Sequence, residues 1–230
     1  MVRLSNLRRK RRQLVEYLIR EGVLKSENVI RAFLKVPREE FVLPEYRNSA
    51  YEDHPLPIPK GQTISAPHMC AMMCELLAIE KGCNILEIGT GSGYHAALCA
   101  EITSPTDSPT SGYVVSVEYF PELAEYAKNN LARTGYDDRV HLLVCDGSSS
   151  VPTSRRFDRI LVTAAAPRIP SYLLELLNAP GRLVIPVGST FYQILTLVEK
   201  DQEGNIREIK MGGCIFVPLL GKYGYRENTH

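Results

Sequence analysis

Along the first 36 residues, apolar positions recur at helical spacing. Leu7, Leu14, Val15, Leu18 and Ile19 predict one amphipathic helix over Leu7–Arg20, ending at Gly22. Val29, Ile30, Phe33 and Leu34 predict a second, starting after Ser26 and stopping before Pro37. Between Pro37 and Ala66 the pattern breaks. Pro37, Pro44, Pro55, Pro57 and Pro59 exclude a regular helix, while Phe41, Val42, Leu43, Tyr46, Tyr51, Leu56 and Ile58 are too apolar for a free linker. An ordered, extended segment packed on the rest is expected. Pro67 then opens a helix whose Met69, Met72, Met73, Leu76 and Leu77 read as core.

From residue 84 the pattern becomes short β-branched runs separated by helical stretches. Strands are expected at Asn84–Ile88, Tyr113–Val117, Val140–Cys145, Phe157–Thr163 and Arg182–Val187, with helices at Tyr94–Glu101, Pro121–Ala132 and Pro170–Leu177. Continuous apolar runs in a βα repeat describe a doubly wound, mostly parallel α/β sheet. Gln193–Glu199 and Ile206–Val217 flank the turn Asp201–Asn205 and read as an antiparallel hairpin closing that sheet. Thr103–Gly112 reads as a polar loop insertion. The expected organisation is an N-terminal helical and extended part (1–80), a ligand-binding core (81–220) and a tail (221–230).

Composition changes this picture little. At 230 residues the chain accommodates one α/β unit with additions, and 44% hydrophobic with 23% charged residues is ordinary for a globular protein. A net charge of +1 marks no nucleic acid, membrane or acidic polymer as partner. The run Arg8–Arg12 is read as the solvated face of its helix. Without a spanning apolar run or a signal-peptide h-region, the expectation is a cytoplasmic protein. Six cysteines are too few for a disulfide scaffold. Cys70 and Cys74 lie near His68, but no C-x-x-C pair is present, so no metal is expected.

The informative chemistry sits at strand ends. Asn84–Ile88 runs into Gly89-Thr90-Gly91-Ser92-Gly93 and then into a helix, so Gly89, Thr90, Gly91 and Gly93 can bring backbone close to a ligand. The spacing is G-x-G-x-G, not the G-x-G-x-x-G of a dinucleotide site, and Glu87 two residues earlier disfavours a pyrophosphate. The next two strands end at Glu118, placed for ribose hydroxyls, and at Asp146-Gly147, placed for an exocyclic amine. Three acids beside such a loop describe a nucleoside without phosphate. S-adenosylmethionine, whose sulfonium and amino groups are cationic, fits.

At this point the residues resemble a family. Gly61-Gln62-Thr63-Ile64-Ser65-Ala66-Pro67-His68-Met69, followed by Leu86-Glu87-Ile88-Gly89-Thr90-Gly91-Ser92-Gly93-Tyr94, is similar to the protein-L-isoaspartate O-methyltransferases. The likeness continues through Tyr51–Ile58, Thr163-Ala164-Ala165-Ala166-Pro167 and Phe216-Val217-Pro218-Leu219, from about Val36 to Leu220. The glycine loop alone says class I methyltransferase; the T-I-S-A-P-H segment is far more specific. The resemblance implies a seven-stranded Rossmann-like methyltransferase sheet, S-adenosylmethionine as cofactor with S-adenosylhomocysteine as product, and methyl transfer to the α-carboxylate of isoaspartyl residues in damaged proteins and peptides. It also implies Ser65 as the active-site residue and Thr63, Ile64, Glu118, Asp146 and Gly147 at the cofactor. Cys70 is counted with the cofactor residues, although some members carry His there, a departure of this chain from the family pattern.

A carboxylate nucleophile is ionised near neutral pH and needs no general base. Alignment and removal of water should therefore carry the reaction, with Ser65 and the helix N-terminus at Pro67 holding the carboxylate. Ala165, Ala166 and Pro167 are expected to present backbone to an extended substrate peptide. Two other readings are a methyltransferase acting on a nucleic acid or small molecule, and a noncatalytic cofactor-binding module. Against the former, amino-methylating nucleic-acid enzymes of this fold commonly carry Asn or Asp, Pro-Pro and an aromatic where this chain has Thr163–Pro167.

Overall fold

The structure is a computed structural model that describes residues 2–108 and 112–226. Pro109–Ser111 of the polar loop and the last four residues of the tail lie outside the described residues. Helix α1 spans Val2–Arg20 and α2 Glu27–Lys35. Their buried stripe is Leu7, Leu14, Val15, Leu18, Val29 and Phe33, but Ile19 is 43% and Leu34 41% exposed, so both point away from the core. Arg11 departs from the reading of its run as solvated. It donates to the Glu39 carboxylate at 3.0 Å and to Tyr51 Oη at 2.7 Å, tying α1 to the segment beyond α2.

The proline-rich segment is more regular than expected. Short 3-10 turns form at Arg38–Glu40, directly after Pro37, and at Pro44–Ser49 and Pro59–Gly61, where proline occupies a first-turn position that needs no N–H. Strands β1 (Leu56–Pro57) and β2 (Thr63–Ile64) pair as a small antiparallel ribbon, and α3 (Pro67–Leu77) follows directly. Phe41, Val42, Tyr51, Leu56 and Ile58 are buried.

The core alternates β3 (Asn84–Ile88), α4 (Tyr94–Thr103), β4 (Tyr113–Glu118), α5 (Pro121–Thr134), β5 (Val140–Val144), β6 (Phe157–Val162) and α6 (Ser171–Leu176). It ends in β7 (Leu177–Gly188), β8 (Gln193–Lys200) and β9 (Ile206–Cys214). The seven strands lie in the order β5-β4-β3-β6-β7-β8-β9. The five on the β5 side are parallel; β8 and β9 add antiparallel, as the hairpin pattern predicts. Strand β7 starts at Leu177, five residues before the apolar run suggests, and β9 ends at Cys214 because the chain then leaves the sheet to pair with Ala165.

Both sheet faces are buried, as period-two geometry requires of a central parallel strand. Ile85, Val114 and Leu161 join the larger apolar cluster, to which α1 through α5 contribute; Leu86, Ile88, Val117, Ile160 and Val162 join the smaller, with Leu173 of α6. Glu87, between Leu86 and Ile88, therefore points into the face carrying the N-terminal helices. After β3 the chain turns to β4 on one side, while β6 pairs on the other, so the crevice expected at such a switch point opens at the ends of β3, β4 and β6. No helix among the described residues is long and apolar enough to cross a membrane.

Candidate active site

That crevice holds a half-open cavity, at the place where open α/β sheets bind small molecules. Its wall is built from Gln62–Ser65, Ile88–Ser92, Val117–Phe120, Gly147, Thr163–Ala164 and Val217–Leu220, with Cys70, Tyr94, His95 and Leu123 behind them.

The glycine loop forms one side. Gly89 has φ +100° and a Cβ there would overlap the Thr163 hydroxyl, so the turn out of β3 requires glycine. Gly91 (φ +55°) lies on the wall and donates its N–H to Glu118 Oε2 at 2.9 Å. Gly93 is buried away from the cavity. A Cβ there would lie 3.2 Å from Leu131, so this glycine lets α4 approach α5.

The three acids take different positions. Glu118 is on the wall; its Oε1 accepts the N–H groups of Tyr119 and Phe120 at 2.9 and 3.1 Å, which leaves acceptor capacity chiefly on Oε2. Glu87 is fully buried below the loop. Its Oε2 accepts the Ser116 hydroxyl, which also meets Thr90 Oγ1 at 2.6 Å, and its Oε1 has no partner. Burial pushes the Glu87 carboxyl up to about 8. Asp146 does not reach the cavity: its carboxylate accepts the N–H groups of Ser148 and Lys222, each at 2.8 Å, and only the neighbouring Gly147 lines the wall. A Cβ at Gly147 would lie 2.7 Å from the Ile88 side chain.

Opposite the loop, Thr63, Ile64 and Ser65 line the cavity together with Cys70. Ala66 is the N-cap of α3 and the first-turn His68 N–H goes to Asp53, so the Ser65 hydroxyl is not spent as a cap. The Ser65 carbonyl is held instead. Arg38 Nη2 donates to it at 2.8 Å, while Arg38 Nε donates to the Ala50 carbonyl at 2.8 Å. This guanidinium is fully buried, sits 4.9 Å from the Tyr94 ring centroid and has no carboxylate partner. The periodicity of the segment gives no sign of that role. Burial pushes the Cys70 thiol up to about 12, so it faces the cavity as a neutral group.

Ala165 and Ala166 are buried, and their backbone is engaged within the protein. Ala165 N–H donates to Val217 O at 2.8 Å and Ala165 O accepts from Leu219 N–H at 2.7 Å; Ala166 N–H donates to Pro186 O at 2.9 Å. Pro167 is exposed and lies off the wall. Thr163 and Ala164 of that loop line the cavity in their place, beside Val217–Leu220. Tyr119 and Phe120 are further lining residues that sequence reasoning passed over; two aromatics directly after a strand-end acid were the available signal.

His68 is not near the Cys70 and Cys74 thiols as a ligand. It is held by Asp53, whose Oδ1 contacts His68 Nδ1 at 2.9 Å and accepts the His68 N–H at 2.8 Å.

The residues present suit S-adenosylmethionine: a half-open cavity at the strand ends, a wall acid with spare acceptor capacity, and beneath the loop a buried carboxyl oxygen with no hydrogen-bond partner among the described residues. Comparison with known proteins agrees. A model of the family described as Protein-L-isoaspartate(D-aspartate) O-methyltransferase matches residues 9–224. The protein-L-isoaspartate O-methyltransferase of Hyperthermus butylicus is 53% identical over 222 residues, 96% of this chain and 92% of that protein. Its counterpart from Methanopyrus kandleri is 53% identical over 220 residues, 96% of this chain and 95% of that protein. A crystal structure from Plasmodium falciparum, named as a protein-L-isoaspartate O-methyltransferase in complex with S-adenosyl-L-homocysteine, superposes with a TM-score of 0.80 at 26% identity, covering 90% of this chain and 97% of that one. With the family pattern spanning residues 9–224 and relatives half identical over nearly the whole length, the chain belongs to the protein-L-isoaspartate O-methyltransferase family.

Proposed function

We propose that the protein transfers a methyl group from S-adenosylmethionine to the α-carboxylate of L-isoaspartyl residues in damaged proteins and peptides. The observation that carries this reading is the single cavity lined on one side by the glycine loop and Glu118 and on the other by Thr63–Ser65. One side suits a nucleoside, the other an anion.

The cofactor, when bound, supplies an electrophilic methyl group on a sulfonium. Glu118, a wall residue whose Oε2 accepts only the Gly91 N–H among the described residues, would accept from ribose hydroxyls, and Tyr119 and Phe120 would pack against the base. Gly89 and Gly91 keep that wall free of side chains. Glu87 would meet the cationic part of the cofactor from below, where its unpartnered Oε1 lies. Asp146 acts at one remove: it holds the Ser148 and Lys222 N–H groups and thereby the Gly147 turn and the segment leaving Leu220.

The substrate carboxylate is already ionised, so the chain moves no proton to start the reaction. Ser65 would donate its hydroxyl to the carboxylate. Arg38 is the positioning residue, holding the Ser65 carbonyl through a charge-assisted hydrogen bond. Pairing of Ala165 and Ala166 with Val217–Leu219 and Pro186 leaves Thr163, Ala164 and Val217–Leu220 as the surface for the substrate backbone. The ester so formed carries a better leaving group than the acid; attack by the neighbouring backbone nitrogen expels methanol and gives a succinimide, which hydrolyses partly to normal aspartate.

On this reading residues 1–80 supply the Ser65 side of the site, and 81–220 supply the cofactor side together with the surface for the substrate backbone. The experiment is methyl transfer from labelled cofactor to an isoaspartyl peptide and to its aspartyl twin. Labelling of the isoaspartyl peptide alone is expected; labelling of both equally, or of neither, overturns the assignment.

A further inference from the structure

Behind the cavity wall, α3 and α4 bring together three groups far apart in sequence. Cys74 of α3 and His95 and Cys99 of α4 place two Sγ atoms and an imidazole nitrogen all within 4.8 Å of one another, with Cys74 Sγ 3.4 Å from His95 Nε2. His95 and Cys99 are four residues apart on one helix and so share a face. Cys74 and Cys99 are 0% exposed; His95 is 6% exposed and lines the cavity, which leaves a path to the cluster.

His95 Nε2 meets the Cys74 thiol at 3.4 Å, while Nδ1 is buried without a hydrogen-bond partner among the described residues. Neutral imidazole is the form that ligates a metal.

We propose that Cys74, His95 and Cys99 form a zinc(II) site. Tetrahedral zinc with Zn–S of about 2.3 Å and Zn–N of about 2.0 Å separates its ligand atoms by about 3.5 to 3.8 Å. The 3.4 Å sulfur–nitrogen edge already meets that spacing, and the widest edge, at most 4.8 Å, needs only a side-chain adjustment. Charge balances: zinc(II) displaces one proton from each thiol, the two protons leave to solvent, and the two thiolates neutralise the dication in the low-dielectric interior. Two sulfurs and one imidazole are a soft set that favours zinc over magnesium or calcium. A fourth position would be left for water. The ion would staple α3, which carries the Ser65 segment at its start, to α4, which begins at the glycine loop.

The full-length chain, stripped with chelator, kept reduced, loaded with zinc(II) and gel-filtered, is expected to retain one zinc per chain. X-ray absorption of that sample should show two sulfurs and one imidazole nitrogen, and cobalt(II) loading should give thiolate charge-transfer absorption. Cys74→Ser/Cys99→Ser should lose the retained zinc, and His95→Gln should weaken it at least about tenfold, while Cys83→Ser/Cys145→Ser, altering thiols outside the cluster, should retain it. No zinc retained by the folded parent chain, a shell of oxygen and nitrogen only, or equal retention by folded Cys74→Ser/Cys99→Ser overturns the site. The absorption measurement on the parent chain decides the matter if that variant does not fold.

Discussion

Ser65 and Glu87 show how much rests on single side chains. With the α3 N-cap provided by Ala66, the Ser65 hydroxyl is left for a ligand. A hydrogen bond to a charged group is worth about 1.5 to 3 kcal/mol, so Ser65→Ala should lower kcat by roughly 10- to 100-fold. Binding of S-adenosylhomocysteine should change by less than about twofold, since the lost hydroxyl serves the carboxylate. Steady-state kinetics with equilibrium dialysis checks both, and an unchanged kcat would remove Ser65 from the reaction. Glu87 makes a pH prediction. Its carboxyl sits at about 8 in the folded chain against 4.5 ordinarily, because burial disfavours the charged form. Between those values the folded protein holds a proton that the unfolded chain has lost, so this residue's contribution makes stability fall as pH rises through that window. Urea denaturation at several pH values should show that decline, and Glu87→Gln should flatten it.

Among elements, the β3–α4 turn and helix α1 make the sharpest demands. At Gly89, φ +100° combined with the approach of the Thr163 hydroxyl excludes any Cβ. Gly89→Ala should cost stability by more than about 1 kcal/mol and weaken S-adenosylhomocysteine binding at least about tenfold, since left-handed backbone and the clash both displace the loop. Differential scanning calorimetry and equilibrium dialysis separate the two effects. Helix α1 could pass for an appendage, yet Leu18 is 0% exposed in the same apolar cluster as Leu98 and Val114. Leu18→Ala should therefore destabilise the whole chain by about 2 to 5 kcal/mol, seen as a shifted midpoint in one cooperative denaturant transition. A separate early transition would mean that α1 folds as its own unit. Elements were legible where periodicity alone decides them. Strand β3 follows its apolar run residue for residue, and α3 and α5 begin at the prolines that announce them. The 3-10 turns between Pro37 and Ala66 were not legible, because proline tolerates a first turn as readily as an extended chain.

For the molecule as a whole, a net charge of +1 implies no long-range steering. Isoaspartyl peptides of equal length but opposite charge should show kcat/KM within about threefold of each other, with little change between low and high salt. A strong preference for one sign would expose a local field that the total conceals. The sequence by itself determined what depends on neighbours along the chain: the βα alternation, the strand-end acids, the G-x-G-x-G turn and the Thr63-Ile64-Ser65 motif. Only the tertiary structure decided what depends on partners far away. It turned Asp146 toward Lys222 and away from the cavity, engaged Ala165 and Ala166 with Val217, Leu219 and Pro186, buried Arg38 against the Ser65 carbonyl, and gathered Cys74, His95 and Cys99. The physical reason is that residue type and spacing set which conformations a segment prefers, whereas a side chain's partners are set by the packing of elements that meet across the sheet.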